Sequence, residues 1–167
     1  MAKLIASIGS QQARRVVQLR AKPGAPLLAA IEEAVISENI RAGVIISGLG
    51  ALEKAVFRNL KRFPREFPVK PADRLYLEVM QPMELVSLTG WIAPRTGGKA
   101  EIHAHFAASL VQEETVVTLG GHLNASTVCG IKVVVSILEV AAAEVAALKD
   151  PDTLTNDIVF GLGRGID

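Results

Sequence analysis

All three histidines of the chain fall between residues 103 and 122, in Glu101-Ile-His103-Ala-His105 and in Gly120-Gly121-His122-Leu123. Imidazole is a common metal ligand and changes charge near neutral pH, so this cluster is where chemistry is expected. His103 and His105 sit in a run of alternating apolar and polar residues. Side chains of a strand repeat every second residue, so both rings fall on one face, about 6.6 Å apart along the chain. A third imidazole on a paired neighbouring strand, about 4.8 Å across, would complete three ligands around one ion. Three protein ligands with one position left open is the pattern of accessible zinc sites. An H-x-H pair by itself is weak, because histidines are common on half-exposed strands. The added weight comes from His122, preceded by two glycines that let backbones approach closely.

Two acids could serve the same chemistry. Glu101 shares the strand face of His103 and His105, with Ile102, Ala104 and Phe106 on the other face. It could bind metal, orient a ligand or move a proton; the plain alternative is an edge glutamate facing water. Glu84, at the head of Glu84-Leu-Val-Ser-Leu-Thr-Gly90, is the second candidate acid, or else a surface strand end. Arg58, Lys61, Arg62 and Arg65 form the one local basic run, the only candidates for DNA contact and equally readable as a solvated loop. Gly48-Leu-Gly50 follows a strand pattern, but Glu53 stands where a dinucleotide fingerprint needs its third glycine. Those glycines are read instead as a tight bend or a backbone contact. Cys129 is the only cysteine, so an internal disulfide and a multi-cysteine metal site are excluded. Its apolar setting marks a buried strand residue rather than a nucleophile.

The elements that must position these groups follow from the pattern. Arg14 to Arg20 alternates as a first strand, and Lys22-Pro-Gly-Ala-Pro26 breaks it. Leu27 to Ile40 carries a helical apolar stripe, with Pro26 suited to its first turn. Strands are expected from Val44 to Ile46, from Ala51 to Leu60, from Arg74 to Met80 and from Glu84 to Ile92, with a turn at Ser47–Gly50 and a proline-broken loop from Phe63 to Pro71. Pro94 to Gly98 turns into the histidine strand, and Val116–Leu119 and Val128–Val140 supply the last strands. One early helix among many strands predicts an α+β fold with a mostly antiparallel sheet. A single domain over residues 1–150 is expected, with a polar tail from 151 to 167 that is loose or caps a neighbouring subunit.

Composition narrows the function. The 167 residues are half apolar but only 4% aromatic, so aliphatic side chains must build the core. With 18 basic against 17 acidic residues the net charge is +1, which lacks the excess of a strong nonspecific DNA binder. No apolar run approaches the ~18 residues of a membrane helix, and the N-terminal apolar stretch is too short for a convincing signal peptide. The expected location is a reducing cytoplasm.

Five segments, in order, resemble one family, the plants-and-prokaryotes conserved domain (PCC or PPC) of plant AT-hook nuclear proteins and stand-alone bacterial proteins. They are Leu19-Arg-Ala-Lys-Pro-Gly24, Ile45-Ile-Ser-Gly-Leu-Gly50-Ala-Leu, Met83-Glu84-Leu-Val-Ser-Leu-Thr-Gly90, Ile102-His-Ala-His105 and Gly120-Gly-His-Leu123. The resemblance implies a compact α+β domain that assembles as a homotrimer. For the bacterial type it implies a metal site, zinc or another divalent ion, at His103, His105 and His122. Two departures stand out. Asn124-Ala125-Ser126 replaces the glycine usual after the Gly-Gly-His-Leu segment, and the Arg-Gly-Arg-Pro AT-hook is absent. The rival is a cupin barrel, which also uses H-x-H and a later histidine. It would want a glutamate where Ser109 stands, and the helix at 27–40 comes early for it. Two functional classes follow: a regulatory or interaction module, DNA-associated and with a small ligand or metal stabilising the trimer, or a zinc-dependent enzyme acting on a small molecule.

Overall fold

The computed structural model describes residues 4–161. Strand β1 (Ala13–Ala21) leads into helix α1 (Leu27–Ser37), then β2 (Gly43–Leu60), β3 (Arg74–Val79), β4 (Met83–Pro94), β5 (Ala100–Gln112), β6 (Thr115–Leu123), β7 (Val128–Val140), β8 (Val145–Lys149) and β9 (Asn156–Phe160). The strands pair antiparallel throughout, in the order β1-β7-β2-β4-β5-β6, with β3 added to β2. The expected α+β class with one early helix is what forms.

The long strand β2 organises the sheet. Its first half lies between β7 and β4, and its second half carries β3 and touches β6 through Phe57↔Leu123 and Arg58↔His122. The pairings β2–β4, β4–β5, β5–β6 and β6–β2 therefore return to the strand they started from. Inside this closure sit Phe57, Leu88, Phe106 and Leu123, each at most 3% exposed. Phe57 and Phe106 stack with centroids 4.7 Å apart. Closure removes strand edges that would otherwise expose unpaired backbone groups.

Helix α1 buries Leu27, Ile31 and Val35, one residue per turn, on the same core. The helical stripe was expected to run to Ile40. The helix ends at Ser37 because Asn39 turns back at φ 53°, yet Ile40 remains buried and its N–H reaches the Val35 carbonyl.

The turn expected at Ser47–Gly50 is corrected: β2 passes through it as strand. A Cβ on Gly50 would lie 2.1 Å from the Lys132 carbonyl oxygen, and one on Gly48 would lie 2.5 Å from the Leu88 Cβ. These glycines admit neighbouring strands to β2, which is the backbone contact also foreseen for them. Cys129 is fully buried on β7, and burial pushes its thiol up to about 11. Past Asp150, β9 pairs with β8 of its own chain. Ile158 and Phe160 pack beside Ala42, Ala93, Val145 and Ala147, where Trp91 also lies. No helix among the described residues is long and apolar enough to cross a membrane.

Candidate metal centre

The centre begins with the two-residue repeat of β5. Ala104 and Phe106 point into the core at 2% and 3% exposure, so His103 and His105 point outward. The β5–β6 register sets His122 directly opposite His105. Directly opposed antiparallel residues project to the same face, so three rings meet over two strands. His103 Nε2 lies 3.1 Å from His105 Nε2, and the ring of His122 stands edge-on to both at centroid distances of 4.7 and 5.2 Å. One donor nitrogen from each ring lies within 4.8 Å of the others. Nitrogens around one zinc ion stand about 3.3 Å apart, given Zn–N bonds near 2.0–2.1 Å, so small ring rotations suffice.

Neighbouring strands wall the triad. Trp91 on β4, opposite His103, stacks on that ring at 5.3 Å. Thr89 stands opposite His105. On the other flank, a Cβ on Gly121 would meet the Asn59 Oδ1 at 2.5 Å, and Asn59 donates to the Gly120 carbonyl at 2.9 Å. The two glycines thus let β6 close onto β2, which brings Arg58 opposite His122.

Burial and like charge keep these rings neutral. Burial pushes His122 down to about 3, helped by Arg58, His103, His105 and Arg74. His103 is lowered by burial, His105 and Arg58, against weaker opposition from Asp157 and Glu101; His105 is lowered by burial and Arg58. Neutral imidazole is the metal-binding form. Three such nitrogens suit zinc, copper, nickel or iron better than calcium or magnesium. The donor set therefore fits a transition-metal ion.

The family comparison agrees with this architecture: the Plants and Prokaryotes Conserved (PCC) domain model matches residues 8–141. The chain belongs to the PCC-domain family. Its fold is shared by a metal-containing protein of Archaeoglobus fulgidus, 22% identical, with a TM-score of 0.71 over 92% of this chain and 99% of that one. A plant- and prokaryote-conserved protein of Pyrococcus horikoshii is also 22% identical, with a TM-score of 0.69 over 89% and 94%. A Bacteroides thetaiotaomicron protein described as a candidate DNA-binding protein is 17% identical, with a TM-score of 0.67 over 90% and 97%. No curated protein matches the chain significantly.

The remaining candidates are dispersed over this PCC domain. Glu101 lies on the triad's face, but its Oε2 takes Arg95 at 3.4 Å and Asn156 at 3.3 Å. Glu84 pairs with Ser109, four residues along β5 from His105. That is about 13 Å of strand, so Glu84 is not brought to the histidines. The basic run splits: Arg62 binds the buried Asp73 carboxylate at 2.8 Å, Lys61 and Arg65 are exposed, and only Arg58 joins the triad. A cavity of about 510 Å³ in the PCC domain lies between α1 and the β4–β5 turn, lined by Val35, Ile40, Lys99 and Ile102 among others. No histidine lines it, and it carries no converging chemistry. Sequence reading missed Trp91, Thr89 and Tyr76 as neighbours of the site. The first two were legible in principle, because the turn at Arg95–Lys99 sets the register that opposes them to His103 and His105.

Proposed function

We propose that this PCC-domain protein holds one divalent metal ion per chain, zinc foremost, at His103, His105 and His122, and acts as a homotrimeric regulatory or interaction module. The carrying observation is the convergence of three neutral imidazoles with no fourth histidine, cysteine or carboxylate in the group among the described residues. When bound, such an ion supplies a Lewis-acidic position open to an outside ligand. The chain's own residues hold and orient it. Trp91 stacks on His103 and fixes that ring, while Ala104 and Phe106 anchor the strand beneath. The metal-containing Archaeoglobus protein, sharing this fold, supports the reading. Metal analysis of protein prepared without chelator tests it, with about one ion per chain expected in the wild type and none in His103→Ala. Equal content in the two would end the proposal.

Assembly as a trimer is supported by a partly exposed apolar row on the outer face. Val16, Leu138, Val44 and Trp91 stand opposite one another across β1, β7, β2 and β4, in a line that ends at His103. Val16 and Val44 are 54% and 40% exposed. Covering such a row on a partner copy would remove apolar surface from water. Light scattering behind size-exclusion chromatography should return three chains, and a monomer at micromolar concentration refutes it. A cytoplasmic location accords with the lone buried thiol. Association with DNA, suggested by the description of the Bacteroides protein, is proposed as weak for the isolated chain. The three-imidazole donor set also favours a second reading, a zinc-dependent enzyme acting on a small molecule, for which Glu101 is the acid beside the histidines, while Glu84 shares their face but stands about 13 Å along the strand.

A further inference from the structure

The strand registers place five side chains in one row across five strands: Tyr76, Arg58, His122, His105 and Thr89. All face the same side of the sheet, each opposite the next, at strand spacings of about 4.8 Å. Arg58 therefore stands one strand from the imidazole cluster, directly opposite His122. It is partly buried and forms no ion pair among the described residues, whereas Arg14, Arg15, Lys54, Arg62 and Arg95 all do. Burial and then the nearby Arg74 disfavour its charge, and Tyr76, whose hydroxyl hydrogen-bonds with it, favours it without supplying a counter-ion. A cation held beside a metal-binding cluster without a counter-ion is costly. It repels the very ion the histidines would gather. The arrangement makes physical sense when the missing partner is an anion.

We propose that Arg58 is an anion-anchoring residue: a small molecule bearing a carboxylate or phosphate places one oxygen at the open metal position and another on the Arg58 guanidinium. This rests on the metal reading above. The planar guanidinium fork matches carboxylate and phosphate oxygens pairwise. An anion shared between the ion and Arg58 offsets the repulsion between them, so each strengthens the other's hold. Thr89 and Tyr76, at the two ends of the row, add hydroxyls that can donate to or accept from the rest of the molecule. The ligand class is accordingly a small oxyanion, not a neutral or cationic compound.

The test uses full-length protein loaded with cobalt(II), whose absorption spectrum reports changes in coordination. Acetate and inorganic phosphate are titrated separately into wild type, Arg58→Met and Arg58→Lys. Wild type should show a saturable shift with at least one of the two anions, and the tighter arm distinguishes carboxylate from phosphate. Arg58→Met should take up cobalt yet bind that anion at least about tenfold more weakly, with Arg58→Lys between, since it keeps the charge but loses the fork. In anion-free buffer Arg58→Met should bind cobalt about threefold or more tightly, because a like charge has gone. A purely structural role would lower cobalt affinity instead, and that result overturns the proposal. Full cobalt uptake with equal anion affinity in wild type and Arg58→Met, or with no anion response in wild type, also overturns it while leaving the metal reading intact. Failure of the wild type to take up cobalt overturns both.

Discussion

Two polar clusters on the same sheet follow opposite rules. At the β1–β7 edge, the Glu139 carboxylate accepts from Arg15 at 2.7 Å and from Arg14 at 3.4 Å, and Arg15 also binds Glu38 at 2.8 Å. Each of these four charges meets its opposite within the chain. At the β5–β6 centre, three histidines and Arg58 face one another, all of the type that carries positive charge. Nothing in the row balances the Arg58 charge; Glu101 and Asp157 act only weakly on His103, and Glu101 is already held by Arg95. The first cluster closes on itself and serves the fold. The second leaves binding capacity that only something outside the chain can use. Unsatisfied polar capacity, not polarity as such, separates a site from a structural network.

The comparison breaks most decisively at His122. Replacing His122 with alanine should lower metal affinity by about a hundredfold or more, since loss even of a supporting partner costs 10–100-fold. Calorimetric metal titration reads this directly, and unchanged affinity would place the ion elsewhere. The same substitution should cost the metal-free fold little, because the ring is partly exposed.

Glu139→Ala reverses that profile. Metal affinity should not change, while denaturant unfolding should show a loss of about 1 kcal/mol, a figure kept low because Arg14 and Arg15 are 59% and 48% exposed. A loss of metal binding in this variant would mean that the clusters are coupled.

Acid separates the clusters by pH window. The histidines titrate near 6.5 when unfolded and lower when folded, His122 at about 3. Below pH 6.5 the unfolded chain takes up protons that the folded one refuses. Their stability contribution is therefore full above 6.5 and is lost as pH falls toward the folded values. Arg15 and then Arg14 hold Glu139 below its ordinary 4.5, so its contribution is full above 4.5 and is lost only at lower pH. In metal-free protein, His122→Asn should flatten the stability profile between pH 6.5 and 4.5, and Glu139→Gln should flatten it only below 4.5. Unfolding curves across this range would expose any overlap.

The smallest expected effect is on DNA. Arg62 is neutralised by Asp73 and Arg58 faces the histidines, so few phosphate contacts remain per chain. Anisotropy titration near physiological salt should give a dissociation constant at or beyond about 10⁻⁴ M. Submicromolar, salt-sensitive binding would show that assembly gathers the exposed Lys61 and Arg65 into a working patch.

What could be read from sequence was what depends on short range. A strand repeats every two residues, so the common face of Glu101, His103 and His105, the inward turn of Ala104 and Phe106, and the stripe of α1 follow from local geometry alone. Family resemblance carried the pairing with His122. What only the tertiary structure decided was which distant strands lie side by side. Gly48 and Gly50 look like a turn in sequence but are spaces left for Leu88 and Lys132. Arg58 looks like the start of a basic loop, and becomes part of the site because β2 is long enough to reach past β4 and touch β6. Glu84 shares a strand with Thr89 and Trp91, yet register carries it away from the histidines. Register between strands far apart in sequence is set by the packing of the whole core and by strand length, and no local pattern encodes it.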